Sequence, residues 1–397
     1  MKSFAVLMAL AVSASAAERP ATLVSAAEAD PIHSAILRNE AWTQDAVRRL
    51  RTEAERCMKE GPWTVTAERP EGIDLDPHLY YSESPASPAG RDLQSGGQAG
   101  PARFDANRAA LRAMSDAVFT LGTAAFLLDD ARYAQRAGHV IQTWFVAPKT
   151  RMEPNFDHAQ TIPEANGETS GGGPLEARPL IRAIQGMEFL AQSGQWDSKE
   201  QAAVERWFGE YLRWLTQSNR ALADRRSGGT SAVWWAAEVA ATASFVQDAA
   251  AQQTAFNYYR RRALPREVRA GVPAGKGGRT PTPAAAMTRL DGLATVCRVA
   301  QVRGVDLWTA RTGSGATVAT LAEALETGLA NPRKWSPEQI DALRSSELDF
   351  LAFAGMGLNN PSCIALFRKL ERPTSAWLAL VDLLVGRWEA SANQTRH

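Results

Sequence analysis

Apolar residues in this chain recur at helical spacing almost throughout. Between Arg108 and Leu128, the residues Leu111, Met114, Val118, Leu121 and Ala125 stand three or four apart, which places them on one helix face. Asp129 and Asp130 end that pattern and can cap a second helix through Ala131–Phe145. Asp197 and Ser198 precede a third, and Ser198 with Gln201 fits a capping box, as does Ser336 to Gln339. In the third helix, Trp207, Tyr211 and Trp214 form a stripe better suited to packing than to ligand binding. Alternating strand patterns are scarce. Long polar segments lie between the helices, at Pro70–Pro101, Arg151–Pro174 and Gly271–Pro283. Helix pairs with elaborated loops on one face predict an all-α protein, an α/α toroid or related helical array. No sequence repeat of fixed period and no clean linker stands out, which favours one domain.

Arg225–Thr230 is polar and Gly-rich, and reads as a loop leading into an Ala-rich helix. Trp234 and Trp235 open that helix. One of them is expected to pack inward and the other to line a cleft.

Composition narrows the class. The chain is 45% hydrophobic, enough for a sizeable core, with a net charge of +1 that speaks against a polybasic nucleic-acid surface. Met1–Ala17 has a positive Lys2, a short apolar run and an Ala14-Ser15-Ala16 cleavage pattern, so it reads as a secretory signal peptide. Residues 18–397 are then one mature domain, periplasmic or secreted, without membrane insertion. Cys57, Cys297 and Cys363 cannot make a disulfide framework, and the absence of a Cys/His cluster makes a structural zinc site improbable.

Residues 144–167, WFVAPKTRMEPNFDHAQTIPEANG, resemble a signature of the alginate lyase family. Arg103-Phe104-Asp105, Met114-Ser115-Asp116, Glu176 to Arg182, Tyr211 to Ser218 and Gly304 to Trp308 continue the likeness in order. The resemblance implies an exported protein with an incomplete (α/α) toroid, no metal and no cofactor. Its activity would be β-elimination on a uronic-acid polysaccharide. In that chemistry, carboxylate neutralisation stabilises an enolate-like state while a base takes the C5 proton and an acid protonates the leaving O4.

The motif that carries this chemistry is altered here. Ser231 stands at the position of the family's catalytic His, Thr230 at its neighbouring Asn, and Glu238 at a Gln. Ala286 occupies the Tyr position and Arg289 an Asn position, while Arg279 keeps the Arg. The aromatic platform that follows Tyr80-Tyr81-Ser82 is replaced by Ala86-Ser87-Pro88.

These losses lead to a polysaccharide or oligosaccharide binder, uronate-containing chains included, with elimination lost or strongly reduced. A second reading relocates the acid and base to His158 or His78, with Tyr80 or Tyr81. A third is a non-enzymatic interaction module. Candidate ligand contacts are Tyr80, Arg151, Gln160, Arg178, Trp234, Trp235, Glu238 and Arg279. Glu238 is expected as a groove carboxylate, and Arg182 as a structural salt bridge.

Overall fold

The computed structural model describes residues 21–67, 76–82, 105–160, 162–163, 169–170, 172–271, 283–329, 349–370 and 372–394. Helices dominate them, as the periodicity predicts. In order they are α1 (Ala26–Leu37), α2 (Gln44–Cys57), α3 (Asp105–Leu127), α4 (Ala131–Ile141), α5 (Gly173–Ala177), α6 (Pro179–Gln192), α7 (Ser198–Gln217) and α8 (Asn219–Ser227). Then come α9 (Thr230–Phe245), α10 (Ala249–Tyr258), α11 (Leu264–Ala270), α12 (Pro283–Val302), α13 (Val318–Leu329), α14 (Asp349–Gly357), α15 (Pro361–Lys369) and α16 (Ala376–Gln394). Two-residue strands β1 (Ile162–Pro163) and β2 (Thr169–Ser170) pair antiparallel in the 151–174 loop.

Six helices form an inner ring. α3 packs on α6, α6 on α9, α9 on α12, α12 on α14, and α16 touches both α14 and α3. Others lie outside it: α4 against α3, α7 and α10 against α9, α15 against α14, and α2 against α3 and α16. This is an (α/α) toroid. Sequence sorts the layers. The Ala-rich α9 buries every residue from Ser231 to Phe245, as a helix with neighbours on all sides must. The outer α2 buries only Ala46, Leu50, Ala54 and Cys57 along one stripe.

Inner helices approach closely where glycines face each other. A Cβ on Gly122 of α3 would meet the Gly186 carbonyl oxygen of α6 at 2.0 Å, and one on Gly186 would lie 2.4 Å from the Phe119 Cα.

Helix ends follow side-chain capping. Asp130 accepts from the Arg132 N–H and starts α4. For α7 the cap is Asp197, which accepts from the Lys199 and Glu200 N–H groups, and Ser198 is already the first helical residue. The expected Ser198–Gln201 box gives way to that shorter Asp reach. The Ser336–Gln339 box lies outside the described residues, as do Pro70–Leu75, Glu83–Pro101 and Val272–Thr282 of the polar segments. The loop expected at Arg225–Thr230 shrinks to Gly228-Gly229. α8 continues through Ser227, and Gly228 ends it in the left-handed region at φ 70°.

A strap at the start of the described chain crosses the ring. Thr22 donates through its N–H and hydroxyl to Glu188, at 3.0 and 2.6 Å. The Leu23 and Val24 N–H groups both donate to Gln185 Oε1 at 2.9 Å. Arg298 Nε donates to the Leu23 carbonyl at 2.7 Å, and Ser244 Oγ to that of Ala21 at 2.9 Å. α6, α9 and α12 thus hold one segment. Cys57, Cys297 and Cys363 are buried free thiols. Among the described residues, no helix is long and apolar enough to cross a membrane, and no group of His, Cys, Asp and Glu could hold a metal.

Candidate functional site

The six inner helices line a cavity of about 440 Å³, α6, α14 and α16 through their first turns and α3 and α12 nearer their middles, and one wall of it is Leu23 of the strap. Its charged lining is Arg112 and Asp116 from α3, Arg178 and Arg182 at the start of α6, Asp291 from α12 and Asp349 from α14. Trp234 and Trp377 add aromatic surface. Helix N-termini carry the positive end of the peptide dipole, so their convergence favours anionic groups, and Asp349 in the first turn of α14 supplies one.

Part of this lining is committed internally. Arg182 Nη2 lies 3.4 Å from Asp349 Oδ2, and its guanidinium sits 4.6 Å from the Trp377 ring centroid. Trp377 Nε1 donates to Asp349 Oδ1 at 2.8 Å. Arg182 is therefore in the salt bridge expected of it. Asp291 Oδ1 accepts from the Phe350 N–H at 3.0 Å, which ties α12 to α14.

The tryptophan pair divides as expected. Trp234 lines the cavity, donates to the Thr288 carbonyl at 3.0 Å and lies 5.8 Å from the Arg178 guanidinium. Trp235 points away. It is fully buried, donates to the Leu215 carbonyl at 2.8 Å and carries the Arg225 guanidinium at 5.0 Å. As a ligand contact Trp235 is therefore a correction.

The positions that the sequence reading set against the family's chemistry are covered. Ser231 is 1% exposed and Ala286 3%. Thr230, half-buried, is the first residue of α9. Arg289 faces α11, where its Nε donates to Glu267 Oε2 at 2.7 Å; both side chains are 7% exposed. Glu238 is a second correction. It is buried in the wall between α9 and α7, where the Tyr211 hydroxyl donates to it at 3.3 Å. Burial drives its carboxyl well above the usual range, and its side chain does not face a groove. Arg279 lies outside the described residues.

The remaining candidates gather in a second place, where residues 78–82 run beside 151–160. His78 Nδ1 faces the Arg151 carbonyl at 2.8 Å, and the Glu153 N–H donates to the His78 carbonyl at 2.8 Å. Tyr81 stacks on His158 with centroids 4.7 Å apart. The Ser82 N–H donates to the His158 carbonyl at 3.1 Å, and Ser82 Oγ accepts from the Gln160 N–H at 2.7 Å. His158 is exposed, and burial raises the Tyr81 phenol above its ordinary range. The exposed Arg151 pairs with Glu153 at 3.2 Å.

Tyr80 turns inward instead. It is 1% exposed and donates to Glu176 Oε2 at 2.7 Å. Arg108 Nη2 then bridges Glu176 Oε1 at 2.9 Å and Gln160 Oε1 at 3.0 Å. The Tyr80 ligand contact is therefore a third correction: its hydroxyl staples the loop to α5. Arg108 is one helical turn before Arg112, so this staple adjoins the cavity rim.

Sequence reading assigned no role to Arg112, Asp116, Asp291 or Asp349. The available signal was charge interrupting an apolar stripe, as Arg112 and Asp116 do beside Leu111 and Met114.

A ring of inner helices with outer helices packed around it, and a charged, aromatic-edged cleft on its axis, defines an (α/α) toroid. Residues 64–335 match the sequence profile of the alginate lyase family, well over half of the chain, and the protein belongs to that family. An alginate lyase from Bacteroides ovatus, known from its crystal structure, is similar over 91% of this chain and 98% of its own, with a TM-score of 0.71 and 22% identity. A variant of alginate lyase A1-III complexed with tetrasaccharide gives a TM-score of 0.48 at 13% identity, over 75% of this chain and 76% of its own. No curated protein matches this chain.

Proposed function

We propose that the protein is an exported saccharide-binding member of its family, with the family's β-elimination lost or strongly reduced. One observation carries the reading. Ser231 and Ala286, which the sequence reading sets at the family's base and acid positions, are both buried, and Arg289, which it sets at an Asn position, is held in a buried ion pair with Glu267. A serine hydroxyl is a far weaker base than an imidazole, and a methyl group cannot protonate O4. Arginines and Trp234 still line the axial cavity and suit a sugar chain.

The reading takes residues 1–17 as a cleaved signal peptide and residues 18–397 as one domain. N-terminal sequencing of the exported protein checks the first part, with a mature chain starting after Ala16 or Ala17 expected. The activity is tested on purified protein with polymannuronate and polyguluronate, following ultraviolet absorbance of the conjugated double bond. No product together with retarded migration in a saccharide-containing native gel is expected. Catalytic turnover would sink the proposal.

The stacking of Tyr81 on His158 favours one alternative, a relocated acid–base pair on the exposed loop. Turnover abolished by His158→Ala would select it. The interaction-module reading requires a stable protein partner and no saccharide affinity.

A further inference from the structure

Outside the ring, six arginines gather where the end of α8 meets α11. Arg225 and Arg226 stand in the last turn of α8, Arg261 and Arg262 in the π-helical turn Tyr259–Ala263, and Arg266 and Arg269 in α11. Tyr258 Oη donates to the Arg225 carbonyl at 2.9 Å, and Arg266 Nη1 to that of Ser227 at 3.3 Å, which joins the two segments. Burial raises the Tyr258 phenol above its ordinary range, and the nearby charges of Arg266, Arg225 and Arg262 pull it back. Arg262, Arg266 and Arg269 are four and three apart, so they share a face about 10 Å long. All six but the half-buried Arg225 are exposed. None of them forms an ion pair with a described residue.

The acids of the same stretch, residues 219–271, are kept from this patch. Asp224 and Glu238 are fully buried, Glu267 is held by Arg289, and Asp248 caps the opposite end of α10. Like charges crowded without counter-ions repel one another, a cost that a bound polyanion removes. The patch offers charge and no apolar or stacking surface. Tyr258 lies under Arg225, and among the described residues the exposed large hydrophobics are Leu37 and Trp42, in other elements. A lipid surface needs an apolar face to insert, and single-stranded nucleic acid needs rings to stack on. A polysaccharide with a carboxylate on successive sugars needs only spaced cations, and guanidinium groups match carboxylates bidentately. The patch also adjoins the cavity wall. α8 passes through Gly228-Gly229 into α9, whose Trp234 lines the cavity, and the Arg289–Glu267 pair pins α11 to α12.

We propose that this arginine patch is an exosite for an anionic polysaccharide, which it holds by the carboxylates of the chain outside the ring. The inference rests on the saccharide reading above. A polymer held there presents its neighbouring sugars to the cavity at high local concentration, so it gains over a short oligosaccharide with no new contact inside the ring.

Calorimetric titration of the purified mature chain with long-chain polymannuronate, trimannuronate and neutral mannan tests this. The polymer is expected to bind at least about ten-fold more tightly than the other two, and to lose that margin as salt rises. A triple variant, Arg226→Gln with Arg262→Gln and Arg269→Gln, removes exposed charges that hold no ion pair, so its Tm is expected to stay. It is expected to erase the margin while leaving trimannuronate affinity unchanged. Arg262→Glu alone is expected to give a smaller loss of the same kind, which keeps the test open if the triple variant fails to fold. Polymer affinity unchanged in both variants, or mannan bound as tightly as polymannuronate, would overturn the exosite alone. Phosphatidylglycerol vesicles or a DNA duplex bound more tightly than polymannuronate, and released by the same substitutions, would overturn the choice of a polysaccharide for this patch. Binding of none of the three saccharides would overturn both the exosite and the saccharide reading.

Discussion

Arg289 is a charged side chain committed to packing and not to the cleft. Its guanidinium joins α12 to α11 through Glu267, inside protein on both sides. Such a pair is weak evidence for net stability, but removing one partner leaves a buried charge exposed to no compensation. Arg289→Ala is expected to destabilise the protein by about 3–5 kcal/mol in urea unfolding. Adding Glu267→Ala should recover most of that loss, which a double-mutant cycle would measure. Glu238 teaches a related lesson about legibility. A carboxylate letter in the sequence suggested groove charge, but its meaning depends on solvation. Placed against Tyr211 inside the wall, its carboxyl is pushed upward by burial, and nothing in a linear pattern reports that desolvation. The fate of Trp235 was partly readable, since adjacent residues on a helix cannot share one face; which of the pair turned inward depended on α7 and α8 neighbours.

Among the elements, the α3–α6 crossing and the strap make the sharpest demands. Gly122→Ala gains about 1 kcal/mol of helix propensity, but its methyl would enter the Gly186 carbonyl at 2.0 Å. Backbone cannot swing aside as a side chain can, so the clash wins. A net loss of at least about 2 kcal/mol, read as a lowered Tm, is expected. The strap is coupled to pH through Glu188, whose carboxyl burial pushes up from 4.5 to about 7, while Thr22's hydrogen bonds and Arg303's charge pull it back. The folded value is the higher one, so the unfolded chain loses its proton first. The stabilisation is fully present below about pH 4.5 and is lost as pH rises through about 7. The span is on the order of 3 kcal/mol. Glu188→Gln copies the protonated form, so wild type should fall by that amount relative to the variant between pH 4 and pH 8 in urea melts. Helix existence was legible here from stripes and caps, as for α3 and Asp130. The short α8 was not: Arg225 to Ser227 offer no apolar period, and α8 extends through them because Arg225 packs across Trp235 and Tyr258.

At the scale of the molecule, the ring sets what single changes can achieve. Ser231 and Ala286 lie under neighbouring side chains, and Arg289 is held by α11. Ser231→His with Ala286→Tyr is therefore expected to yield no elimination product from polymannuronate, because the imidazole and phenol must first displace packed core. A rate approaching that of an active family member would show instead that the cleft had kept its catalytic shape. The toroid itself was legible because motif order and helical period agreed. The axial cavity was not, since residues 112, 178, 291 and 349 meet only after six helices close on one another.

The strap also fixes a schedule for the growing chain. Thr22 finds its carboxylate partner 166 residues later, Ala21 its hydroxyl donor 223 later, and Leu23 its guanidinium 275 later. Contacts that distant form only after the intervening loop entropy has been overcome. The strap thus lacks its full set of partners until α12 is made, and the ring itself closes later still, when α16 reaches α3.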